Sequence, residues 1–120
     1  MHTVSSTHSF ERAAKVAGMT DEEIEELINY LALHPDAGEE IVGSGGCRKF
    51  RFARKGAGKR GGYRTVTFYS GAMVPVYLIT VFAKGQKSNL SQAEVNQLSK
   101  ITAALSKQCR EKVVKVSSKR

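Results

Sequence analysis

The spacing of apolar residues changes once along this 120-residue chain, and that change fixes the kind of fold it can adopt. As far as Pro35 the apolar positions recur every three to four residues; from Cys47 they alternate or run unbroken. The first spacing gathers side chains on one face of a helix, the second on one face of a strand. Helices that come first must bury their stripe against the strands that follow. The sequence thus predicts an α+β domain with its helices on one face of a small twisted antiparallel sheet: an N-terminal helical pair packed on the sheet, plus a C-terminal helix.

The element signals are local. His2–Ser5 reads as a short strand and Ser9–Val16 as a helix that Gly18 ends. Thr20-Asp21-Glu22-Glu23 has the form of a capping box, and Ile24, Leu27, Ile28 and Leu31 follow at helical spacing until His34-Pro35. The glutamates of this helix are expected to face solvent or a basic neighbour. Gly43-Ser44-Gly45-Gly46 reads as a flexible loop. Beyond it, Phe50 and Phe52 alternate with Lys49 and Arg51, a strand with one aromatic and one cationic side. A turn at Gly56–Gly62, a β-rich run from Tyr63 to Tyr69, a turn at Ser70-Gly71 and an apolar strand from Val74 to Phe82 give two hairpins. Ser91-Gln92-Ala93-Glu94 is a second capping box, ahead of Val95, Leu98, Ile101 and Leu105 on one stripe. Residues 1–106 form the expected domain, and 107–120 a basic tail expected to fray.

Hydrophobic residues make up 41% of the chain, enough for one small core. Met73 to Val81 is its longest apolar stretch, short of the roughly 20 residues that span a bilayer. No basic-then-apolar leader is visible, and two cysteines, Cys47 and Cys109, do not make a disulfide framework, so a reducing cytoplasm is expected. The charge distribution is more informative. Residues 1–40 carry nine acidic and two basic side chains, whereas residues 41–93 carry ten basic and none acidic. Self-repulsion in such a block favours a polyanionic partner, of which nucleic acid is the commonest.

Most chemical motifs fail on context. Gly56-Ala57-Gly58-Lys59-Arg60-Gly61 spells a dinucleotide fingerprint, but a strand follows it rather than the helix N-terminus that a pyrophosphate needs. The histidines and cysteines show no metal-ligand spacing, so no metal is expected. The carboxylates cluster at exposed helical positions, so any catalysis falls to cations and hydroxyls. Such groups suit attack of a ribose 2′-hydroxyl on the neighbouring phosphate. Arginine binds the phosphate oxygens in a bidentate way, while a lysine crowded by arginines, as Lys49 is between Arg48 and Arg51, becomes a more plausible base. Phosphate binding without cleavage fits the same residue types.

The run Gly43-Ser44-Gly45-Gly46-Cys47-Arg48-Lys49-Phe50-Arg51-Phe52-Ala53, followed by Gly56-Ala57-Gly58-Lys59-Arg60-Gly61-Gly62-Tyr63-Arg64, resembles the centre of the RelE/HigB-like toxins of bacterial type II toxin–antitoxin systems, the HigB-like branch above all. The likeness extends through Tyr77–Ser91. It implies the compact RelE-like fold and a ribosome-dependent endoribonuclease that cuts mRNA in the ribosomal A site, without a cofactor. The implied partners are the ribosome and a small helix-turn-helix antitoxin encoded next door. By motif, Lys49 and Arg51 act on the 2′-hydroxyl and the transition-state charge, Arg64 grips the scissile phosphate, and Lys84 adds a cation. Arg48, Arg54, Lys55, Lys59, Arg60 and Lys87 would meet RNA or the ribosome. A base-stacking tyrosine found in some members is replaced here by about Ser91. The rival readings are a non-catalytic RNA- or DNA-binding regulator and a degenerate phage-derived relative.

Overall fold

A computed structural model describes residues 2–52, 62–71, 74–83 and 90–118, with the side chains of the last helix as far as Lys107. In chain order the elements are β1 (Val4–Ser6), α1 (His8–Ala17), α2 (Asp21–Leu33), β2 (Glu39–Glu40), β3 (Cys47–Phe52), β4 (Tyr63–Phe68), β5 (Val76–Ala83) and α3 (Gln92–Ser118). The predicted α+β class holds. The sheet is larger than the three-stranded meander expected: five strands in the order β1-β5-β4-β3-β2, with β1 parallel to β5 and the other pairs antiparallel.

Both capping boxes form. Thr20 Oγ accepts from Glu23 N at 3.1 Å while Glu23 Oε1 accepts from Thr20 N at 2.9 Å, and Ser91 and Glu94 exchange the same pair at the start of α3. Glu23 departs from the expectation of a solvent-facing carboxylate. It is buried and also accepts from the Tyr63 hydroxyl at 3.1 Å, because a side chain at the third helical position points back toward the sheet. Leu27 and Leu31 are fully buried beside it, with Phe10, Ala14, Val76, Leu78 and Val81. Phe50 and Phe52 pack against this same core, as their alternation predicts.

The expectation that all helices lie on one face is corrected. Val95 and Leu98 of α3 pack on Cys47, Val66, Phe68 and Ile79, which alternate with the residues facing α1 and α2, so α3 covers the opposite face. An apolar stripe tells which side of a helix is buried but not which side of a sheet receives it. Between Val66 and Thr67 the β4–β5 register slips by one residue, and Ile79 is the extra residue on β5. The backbone of α3 stays helical through Lys107 to Ser118, past the point where the sequence predicts fraying; no proline or glycine interrupts the run.

The Gly43–Gly46 segment is not the flexible loop expected but a closed turn. Ser44 is fully buried; its hydroxyl donates to Ile41 O at 2.6 Å and accepts from Cys47 N at 3.0 Å, and Thr102 of α3 donates to Ser44 O at 2.9 Å. Gly45 has φ +81°, and a Cβ there would run into the Thr102 hydroxyl. The glycine is what lets the turn lie against α3.

Candidate active site

Strands β3 and β4 bring three of the sequence-predicted cations together. Arg51 stands directly opposite Arg64, and Lys49 opposite Val66, so Lys49 and Arg64 are diagonal neighbours. Directly opposite residues share a face, which alternation within either strand alone cannot establish. Here it is the α3 face, and all three project beside the apolar group formed by Val66, Phe68 and Val95. Arg51 is exposed, while Lys49 and Arg64 are half-buried. Like charges directly opposed across a ladder oppose folding by ~0.2–1 kcal/mol. An anion held between Arg51 and Arg64 removes that cost.

Lys49 and Arg64 line a cavity of about 210 Å³, closed otherwise by Ile41, Val66, Phe82, Leu90 and Val95. That is below the roughly 300–1,000 Å³ of small-molecule pockets. The cavity admits a projecting group such as a phosphodiester rather than a whole ligand. Apolar walls keep water out and strengthen the attraction of the two cations for an anion. A larger hollow of about 280 Å³ lies between α1, β5 and α3, lined by Ile79, Thr80, Leu90, Leu98 and Ile101. Its charged side chain is Glu94, so size alone does not make it an anion site.

Arg48 is not part of the cationic group. It projects from the opposite face, half-buried, and its Nη2 donates to Gly38 O at 2.8 Å. The crowding of Lys49 by two flanking arginines therefore reduces to Arg51 and Arg64. Ser91 caps α3, so its hydroxyl is engaged with the Glu94 backbone at the place where a stacking tyrosine would stand. Arg54, Lys55, Lys59, Arg60, Lys84 and Lys87 lie outside the described residues. Burial pushes the Cys47 thiol up to about 11, partly offset by a hydrogen bond from Ser44, so it does not serve as a nucleophile near neutral pH.

Sequence reasoning misses one charged residue of this face. Glu39 of β2 pairs directly with Lys49, so it extends the row of Lys49 and Val66 toward the sheet edge. Gly38 makes the pairing possible: it has φ +91°, and a Cβ there would meet the Lys49 carbonyl and the Phe50 Cβ. A two-residue strand carries no periodicity. Its hint is a carboxylate pair set between a Pro-Asp-Ala-Gly turn and the Gly43–Gly46 turn, away from any helix.

Lys49 and Arg64 at the cavity, with Arg51 beside them on the same face, give this α+β domain a concentrated cationic patch. The family model described as the RelE toxin of the RelE / RelB toxin-antitoxin system matches residues 2–120, and the chain belongs to that family. It is thereby the toxin of a toxin–antitoxin pair, with a RelB-type antitoxin as its partner; RelE toxins are typically endoribonucleases.

Proposed function

We propose that this toxin is an mRNA endonuclease of the HigB-like branch that acts in the ribosomal A site. It works in the cytoplasm and is silenced by a small helix-turn-helix antitoxin encoded beside it. The observation that carries this reading is the convergence of Lys49, Arg51 and Arg64 on one face, with Lys49 and Arg64 lining a small cavity there. In the reaction the 2′-oxygen attacks the adjacent phosphorus and the bond to the 5′-oxygen breaks. Arg51 and Arg64 hold the non-bridging oxygens as their charge grows, and Lys49 lies at the 2′-hydroxyl. Lys84 supplies a further cation. The remaining cations of the central block, Arg54, Lys55, Lys59, Arg60 and Lys87, bind mRNA and ribosomal RNA, and residues 107–120 add a basic extension to a toxin domain of 1–106.

The test is cleavage of a defined mRNA by the purified toxin with and without programmed ribosomes. Cuts that need ribosomes and disappear on adding antitoxin support the proposal. RNA that is bound tightly but left whole under both conditions establishes the regulator reading instead. With about six phosphate contacts, log K for RNA binding should fall with log[salt] at a slope of roughly −4; a slope near zero removes the basic block from the interface.

A further inference from the structure

A 2′-hydroxyl attacking phosphorus must lose its proton, and the cations of this face are poorly suited to take it. Arginine is not deprotonated in proteins, and an ammonium has no lone pair. Glu39 is a carboxylate on the same face. Its register places it directly across from Lys49, with Cβ atoms about 4.5–5.5 Å apart for such a pair. The side chain is exposed, and no ion pair ties it to another described residue. Among the described residues the charged groups facing it are Lys49, then Arg51 and Arg64 further along the face; Glu40 and Arg48 lie on the other side.

We propose that Glu39 is the proton acceptor of the cleavage reaction, an inference that rests on the nuclease reading above. Across the sheet the order runs Glu39, Lys49, then Arg64 on the next strand. A phosphodiester seated between Lys49 and Arg64 presents its ribose toward β2. Glu39 takes the 2′-hydroxyl proton as the 2′-oxygen–phosphorus bond forms. Lys49 stays an ammonium and stabilises the charge developing on that oxygen. The phosphorus–5′-oxygen bond breaks, and the 5′-oxygen takes a proton from water. The products are a 2′,3′-cyclic phosphate and a 5′-hydroxyl, and Glu39 returns its proton to solvent. This division of labour needs no neutral lysine.

The experiment compares wild type, Glu39→Gln and Glu39→Asp on ribosome-bound mRNA, measuring single-turnover cleavage across pH together with ribosome affinity. Glu39→Gln keeps size and hydrogen bonding but cannot accept the proton. It should cleave about 100-fold or more slowly, within the usual range for general-base catalysis. Its profile should lose the fall in rate that the wild type shows on the acid side. Affinity should be unchanged or tighter, since a negative charge has left the RNA face, and Glu39→Asp should recover part of the rate. A glutamine variant that cuts within about threefold of wild type, or keeps the acid-side fall, overturns the assignment and returns the proton to Lys49. A wild type that leaves mRNA whole overturns the nuclease reading and this inference with it.

Discussion

The two faces of the sheet are built from the same strands and differ in how far they are roofed. Under α1 and α2 the face is packed by Phe10, Leu27, Leu31, Leu78 and Val81, and its buried carboxylate, Glu23, is held by a helix cap and by Tyr63. On the other face α3 covers Cys47, Val66 and Phe68, and further along the same strands the side chains become Lys49, Arg51 and Arg64. The site is thus the open end of a core. Its cations stand in rows that begin as apolar packing, which gives them a rigid base and a dry wall. A face closed throughout gives stability alone; a face closed halfway gives stability and a place to bind.

That contrast can be broken from either side. The largest effect belongs to the closed face. Leu27→Ala should cost about 2–5 kcal/mol of unfolding free energy, read in denaturant titrations, with cleavage per folded molecule unchanged. Arg64→Ala should do the reverse: cleavage about 10²–10³-fold slower, as for loss of a preorganised donor, with growth arrest abolished at equal expression and thermal unfolding unmoved or slightly raised as the repulsion from Arg51 is lost. Arrest that persists at equal expression removes Arg64 from the site. Thr102→Val, which cuts the tie from α3 to Ser44, should lower stability by about 1–2 kcal/mol and also weaken cleavage, because the roof of the cavity rests on that contact. The smallest change concerns Cys47. With its thiol raised to about 11, the thiolate is scarce below that pH and appears only as pH climbs toward it. Alkylation at pH 8, followed by peptide mass, should find Cys47 unmodified in the folded protein and modified once it is unfolded.

Much of the fold was legible because its signals are short-range. The Thr20–Glu23 and Ser91–Glu94 boxes and the Phe50/Phe52 against Lys49/Arg51 alternation are each contained within a few residues. The union of Arg64 with Lys49 and Arg51 was not, since it depends on register across the β3–β4 connection, and a slip of one residue would send Arg64 to the other face. Arg48 looked like part of the cationic group only because it is adjacent in sequence. Glu39 was hidden twice, by a strand too short to show a period and by the acidic helix whose run of charge it extends in the sequence. The Gly43–Gly46 turn read as slack because its constraint comes from Thr102, far along the chain.

That distance has a consequence for how the molecule comes into being. Ser44 is bound by a residue 58 positions later, and Thr7 donates to Ile79 across 72 positions. Contacts of such span return nothing until long loops have been closed, so they form late in folding. A nascent chain that has emerged only as far as β4 holds its cations on an unroofed hairpin, without β5 at its edge or α3 above it. The face that carries Lys49, Arg51 and Arg64 is therefore the last part of the molecule to be completed.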